Sequence, residues 1–156
     1  VYHPLAFYAA YFSIRAKAFD LRIMTGDLKT QMTEFNRIKA LDRGASPKDK
    51  DLMSALEVSM EMYQRGYRFV NVDIQHSEAR RFSIKDGALL PPFLAIDSLG
   101  ETVADAIVAE REERPFTSLK DLQRRCKVSN TIIDLMKELK CCGELPEDEQ
   151  MSLFGA

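Results

Sequence analysis

The reading turns on Phe93-Leu94-Ala95-Ile96-Asp97-Ser98-Leu99-Gly100-Glu101-Thr102-Val103-Ala104-Asp105-Ala106-Ile107-Val108-Ala109-Glu110-Arg111. A short helix carrying Ile96 is expected to enter the three-residue turn Ser98-Leu99-Gly100. A second helix follows, with Ala104, Ile107 and Val108 at the spacing of a buried helical stripe. Leu99 fits as a plug between the two helices. Gly100 removes a side chain at the start of the second helix, leaving the backbone N–H groups of residues 100–102 open. Open N–H groups with a helix dipole behind them suit an anion. Such a site takes a nucleic-acid phosphate without reading any base. The alternative is an ordinary corner between two helices, with glycine for close packing.

A weaker copy follows. Leu119 and Leu122 lie on an expected helix, then come Lys127-Val128-Ser129-Asn130-Thr131, then Ile132, Ile133, Leu135 and Met136 on another. Val128 would be the plug, and Ser129, Asn130 or Thr131 would cap the next helix. This turn lacks glycine, so a phosphate would lean on Lys127 and hydroxyl groups. The pattern resembles the helix-hairpin-helix motif, in which glycine, a hydrophobic residue and glycine lead into an Ala-x-x-Ile helix; Ser98 stands where the first glycine usually is. The resemblance implies that Ser98, Leu99, Gly100, Glu101 and Thr102 form one DNA-backbone contact, and Lys127, Val128, Ser129, Asn130 and Thr131 a second. In tandem, two such hairpins straddle a minor groove and grip both strands.

The net charge is −2 over 156 residues, so the whole molecule exerts little pull on nucleic acid. Its distribution says more. Arg111, Arg114, Lys120, Arg124, Arg125 and Lys127 outnumber the nearby acids, and an acidic stretch from Asp134 to Glu149 follows. The basic stretch falls beside the two turns, where phosphate neutralisation is useful; two solvated faces of opposite sign are the alternative.

Upstream, the chain reads as helices over about 4–18, 27–41 and 46–66. The third opens with Ser46 as cap, Pro47 in the first turn and Asp49 placed to reach back. Residues 67–74 have the period-two pattern of a strand, and Asp86-Gly87 signals a tight hairpin between residues 81–84 and 88–90. Pro91-Pro92 ends the sheet. The fold class expected is therefore α+β, mostly helical, in four parts: residues 1–66 helical, 67–92 a small antiparallel sheet, 93–145 the tandem hairpins, and 146–156 a flexible, extended tail.

Cys126, Cys141 and Cys142 are odd in number and lack CxxC spacing, which argues against a disulfide framework or zinc site and fits a reducing, cytoplasmic setting. No apolar run approaches the roughly 20 residues of a membrane span, so no membrane partner is expected. The chain opens on Val-Tyr-His-Pro with no signal peptide and is helix-like by residue 4, as expected of a piece of something longer. No pair of carboxylates has metal-ligand spacing. Asp73 reads as structural, and His3 and His76 find no plausible partner in the sequence.

The tail carries Gln150-Met151-Ser152-Leu153-Phe154, which looks like the pentapeptide by which bacterial replication proteins bind the sliding clamp. Leu153 and Phe154 are large apolar anchors able to fill a preformed pocket, and the acidic run before them favours an extended chain. Folding back onto the domain is the alternative.

Taken together, the motifs and their order resemble the C-terminus of the Gram-positive type of replicative DNA polymerase III α subunit, PolC. Tyr2-His3-Pro4-Leu5-Ala6-Phe7-Tyr8-Ala9-Ala10-Tyr11-Phe12 looks like that family's late fingers segment. Ala45 to Lys48, Arg65 to Asp73, Leu90 to Phe93, Lys127 to Ser129 and Gln150 to Phe154 continue the match. The resemblance implies a DNA-directed DNA polymerase using Mg2+ in a palm upstream of residue 1, with no catalytic residue, metal site or cofactor here. Its expected partners are duplex DNA, a bacterial sliding clamp and the rest of the polymerase chain. The rival readings are a helix-hairpin-helix module of a DNA-repair protein and a helical protein-interaction domain without DNA binding.

Overall fold

The computed structural model describes residues 3–148. Seven helices are named among them: α1 (Pro4–Ile14), α2 (Leu21–Met24), α3 (Leu28–Leu41), α4 (Pro47–Gln64), α5 (Glu101–Glu113), α6 (Leu119–Cys126) and α7 (Asn130–Glu138). One antiparallel hairpin, β1 (Ser83–Lys85) and β2 (Ala88–Leu90), sits between α4 and α5. The class is α+β and mostly helical, as the sequence indicates.

Local chemistry explains most boundaries. At α4, the Ser46 hydroxyl accepts from the Asp49 N–H at 3.0 Å and the Asp49 carboxylate accepts from the Ser46 N–H at 3.1 Å, the reciprocal pairing expected. Asp20 and Asp27 cap α2 and α3 without the return bond, accepting from the Ile23 and Thr30 N–H groups. In the β-turn Asp86 and Gly87 both have positive φ, 51° and 77°, the geometry whose twist matches a two-residue hairpin.

Two expectations are corrected. The first helix stops at Ile14 and gives way to a 3₁₀ turn over Ala16–Ala18, because Ala16 and Phe19 turn inward to the core. Residues 67–74 do not form a strand. They touch the sheet at a single parallel bridge between Phe69 and Leu89. Farther along, their polar groups go elsewhere: the Asn71 side chain donates to Leu139 O at 2.6 Å and the Ile74 N–H to Cys141 O at 2.9 Å. The period-two pattern reflects an extended segment pinned between the sheet and the end of α7.

One continuous core runs through all of this. At its N-terminal end Phe12, Phe19, Phe69 and Phe82 pack edge to face, with ring centroids 4.8–5.0 Å apart for Phe12–Phe69, Phe19–Phe69 and Phe19–Phe82, in the range where aromatic pairs attract. At the other end Leu99, Ile107, Leu122, Val128 and Met136 are buried among α5, α6 and α7. Cys126, Cys141 and Cys142 are free, buried thiols, and burial pushes Cys126 up to about 11.

Candidate nucleic-acid interface

The two expected turns have the same backbone. In the first, Ser98 has φ of +64°, Leu99 is buried, and Gly100 is the extended N-cap of α5 with φ −78° and ψ 168°. In the second, Lys127 has φ of +56°, Val128 is buried, and Ser129 is the extended N-cap of α7 with φ −69° and ψ 158°. A left-handed residue turns the chain, an apolar plug follows, and an extended residue starts a helix. Ser98-Leu99-Gly100 and Lys127-Val128-Ser129 share no residue, yet the repeat is geometric. The element entering the first turn differs from expectation: it is a 3₁₀ turn over Phe93–Ala95, not a helix carrying Ile96, and Ile96 O receives the Leu99 N–H at 3.1 Å.

Ser98 thus occupies the conformation that glycine adopts most cheaply. Gly100 is the reverse case. Its φ is ordinary, and a Cβ built on it meets nothing within 4 Å, so neither backbone strain nor packing inside this chain calls for glycine. The missing side chain instead opens the start of α5 to whatever approaches from outside.

That start is uncapped. Whereas Asp20, Asp27, Ser46, Ser118 and Ser129 each accept a backbone N–H at their helix, Gly100 offers no side-chain cap. The first bond inside α5 is Ala104 N–H to Gly100 O at 3.0 Å, which leaves Glu101, Thr102 and Val103 as outward donors. Two of the nearby acids are engaged, since Arg80 pairs with Glu101 at 3.5 Å and with Asp105 at 2.6 Å, while Asp97 is exposed. At the second turn Ser129 Oγ takes the Ile132 N–H at 3.3 Å, and Gln123 Nε2 donates to Asn130 Oδ1 at 2.6 Å. Asn130 and Thr131 retain outward N–H groups there, with the exposed Lys127 ammonium beside them.

The basic stretch divides in a way the sequence does not reveal. Arg125, 8% exposed, donates to Asp121 Oδ2 at 3.0 Å, Glu110 Oε2 at 3.1 Å and Arg114 O at 3.0 Å, and lies over the Phe116 ring. Arg111 donates to Ile74 O at 3.1 Å and Ser77 O at 2.9 Å. Both are internal struts holding α5 in place. Lys120 pairs with Asp148 at 2.9 Å. Arg124 and Arg114 contact the buried Asp121 but keep exposed side chains. Burial alone would raise the Asp121 carboxyl; the Thr117 N–H and the Arg125 guanidinium outweigh it and hold the group below its ordinary value. Lys127, Lys120, Arg124 and Arg114 are therefore the cations of this stretch whose side chains are exposed.

His76 does have partners: its Nδ1 lies 2.6 Å from Asp73 Oδ2 and 3.2 Å from Lys85 Nζ, and Asp73 also accepts the Gln75 N–H at 2.8 Å. The three-residue spacing of Asp73 and His76 in a turn is the signal that could have found this. Pro146 O and Glu147 O accept from the Leu119 and Lys120 N–H groups at 2.8 and 3.2 Å, so the chain is held against the start of α6 up to that point. Gln150, Met151, Ser152, Leu153 and Phe154 lie outside the described residues.

Comparison with known proteins agrees with this geometry. Over 99% of its length the chain is 43% identical to the DNA polymerase III PolC-type of Caldanaerobacter subterraneus subsp. tengcongensis and 45% identical to that of Streptococcus suis. The Streptococcus pyogenes protein of the same name is 43% identical over the same share. The chain spans 11% of the length of each of these relatives. The helix-hairpin-helix motif family matches residues 66–150, a range that contains both turns and more than half of the sequence. The chain belongs to the helix-hairpin-helix family.

Proposed function

We propose that this chain is the C-terminal, duplex-holding part of a PolC-type replicative DNA polymerase. It binds the DNA backbone without sequence preference through the two turns and contributes no catalytic residue. Gln150, Met151, Ser152, Leu153 and Phe154 tether the enzyme to the sliding clamp. The observation that carries the reading is the repeated turn, one copy of which starts an uncapped helix at a glycine whose Cβ would meet nothing within 4 Å among the described residues. Two such turns place N–H donors and Lys127 outward, a surface suited to phosphate and indifferent to base identity. On this reading Mg2+ chemistry belongs to parts of the polymerase outside the chain. Tethering works through effective concentration, since a weak peptide contact speeds rebinding once both partners hold the same DNA.

The test is a duplex titration across salt. Phosphate binding makes log K fall linearly with log salt, by about 0.9 per phosphate neutralised. Binding that is tight at low salt, salt-steep and equal across unrelated sequences supports the proposal. Absence of duplex binding at low salt would instead favour a helical protein-interaction domain, the reading that the net charge of −2 supports.

A further inference from the structure

Beside the first turn lies a cleft of about 490 Å3 whose walls come from both ends of the chain. One wall is the turn itself, Ser98 to Gly100. The 3₁₀ turn with Lys17, the start of α2 with Arg22, and the first turn of α4 with Lys48 also line the cleft. Lys17, Arg22 and Lys48 are all exposed. Arg22 is engaged by Glu138 at 2.7 Å, but among the described residues neither Lys17 nor Lys48 makes an ion pair. Of the acids in the lining, Asp20 is occupied capping α2 through the Ile23 N–H at 3.0 Å, which leaves Asp97 as the exposed opposing charge.

We propose that this cleft is part of the DNA surface: Lys17 and Lys48, from the helical region outside the hairpins, neutralise backbone phosphates of the strand held at Ser98 to Gly100. The proposal rests on the duplex-holding reading above and extends it to residues that lie outside the matched family segment. A nucleic-acid strand presents one charge per about 3.4 Å of helix axis, so a strand seated on the first turn and running along the cleft brings further phosphates to its lining. Two ammonium groups in its lining that make no ion pair among the described residues are suited to them as mobile point charges that need no fixed geometry. The cleft thereby couples the N-terminal helices to the hairpins through a shared ligand.

The experiment is a salt titration of duplex binding by the full 156-residue chain, comparing wild type with Lys17→Gln/Lys48→Gln. A Lys39→Gln/Lys50→Gln double variant, also exposed but outside the cleft lining, serves as a control of equal charge change. Loss of two phosphate contacts makes the slope of log K against log salt shallower by about 1.8 and lowers low-salt affinity by roughly tenfold or more, with the control near wild type. An unchanged slope for the cleft variant, while Lys127→Gln flattens it, overturns the cleft and leaves the hairpins standing. An equal loss in the control also overturns it, since the effect would then be bulk charge. A wild-type chain that fails to bind duplex overturns the duplex-holding reading itself, and this proposal with it.

Discussion

Replacing the two left-handed residues by glycine separates the mechanical role of the turns from their role toward phosphate. Ser98 and Lys127 sit at φ of +64° and +56°, where an L side chain costs about 1–2 kcal/mol. Glycine removes that cost but adds freedom to the unfolded chain worth about 0.4–1 kcal/mol. The net gain expected for either Ser98→Gly or Lys127→Gly lies between about 0 and 1.6 kcal/mol, or at most roughly 6 °C in melting temperature for a chain of this size. Neither side chain makes a hydrogen bond or ion pair among the described residues that the change would break. The two variants diverge in binding. Ser98→Gly retains the open start of α5 and keeps its duplex affinity, whereas Lys127→Gly loses a cation at the second turn and flattens the salt slope by about 0.9. Thermal denaturation and a duplex salt titration on the same preparations read both effects. A drop in stability for Ser98→Gly would refute the strain argument, and an unchanged slope for Lys127→Gly would refute the assignment of Lys127 to phosphate.

Gly100→Ala should leave the melting temperature unchanged or slightly higher, since its Cβ meets nothing in the chain, yet weaken duplex binding; a loss of stability instead would show that the glycine serves packing. Leu99→Ala, which empties a buried plug, should cost about 2–5 kcal/mol by urea denaturation. Asp121→Ala removes one of the two carboxylates that hold the Arg125 guanidinium, leaving Glu110, and should cost about 3 kcal/mol. Because the folded Asp121 carboxyl lies below its ordinary value, its contribution is full above the unfolded carboxylate value of about 3.9 and is lost as pH falls through the depressed one. Acid titration of stability should therefore be shallower in Asp121→Asn. Leu153→Ala with Phe154→Ala should abolish binding to a bacterial sliding clamp and leave duplex binding intact; an unfolded double variant would place the tail in the core.

How much of this was legible in the sequence follows from how local each signal is. The capping box at Ser46 and Asp49, the Asp86-Gly87 turn, and the plugs Leu99 and Val128 depend on residues a few positions apart, and each is found where the pattern puts it. The turn at Lys127 to Ser129 was readable without any glycine because lysine there takes the left-handed conformation and serine supplies the cap. Tertiary partners were not readable. Arg111 and Arg125 look identical in sequence to the outward cations, and only the carbonyls of Ile74, Ser77 and Arg114 distinguish them as struts. Residues 67–74 alternate in sequence like a strand, but the buried positions Phe69, Val72 and Ile74 do not keep a period of two, and sequence cannot supply the neighbouring strand that pairing requires. The cleft has the same character, since Lys17 and Lys48 are separated from the first turn by at least fifty positions and meet it only through the fold.

The most direct test of the central claim is an amide chemical-shift titration of the chain with duplex DNA. The largest changes are expected on the N–H groups of Gly100 to Val103 and of Ser129 to Thr131, the same for unrelated duplex sequences and suppressed by salt. Changes that avoid both helix starts, or that depend on base sequence, would contradict the claim.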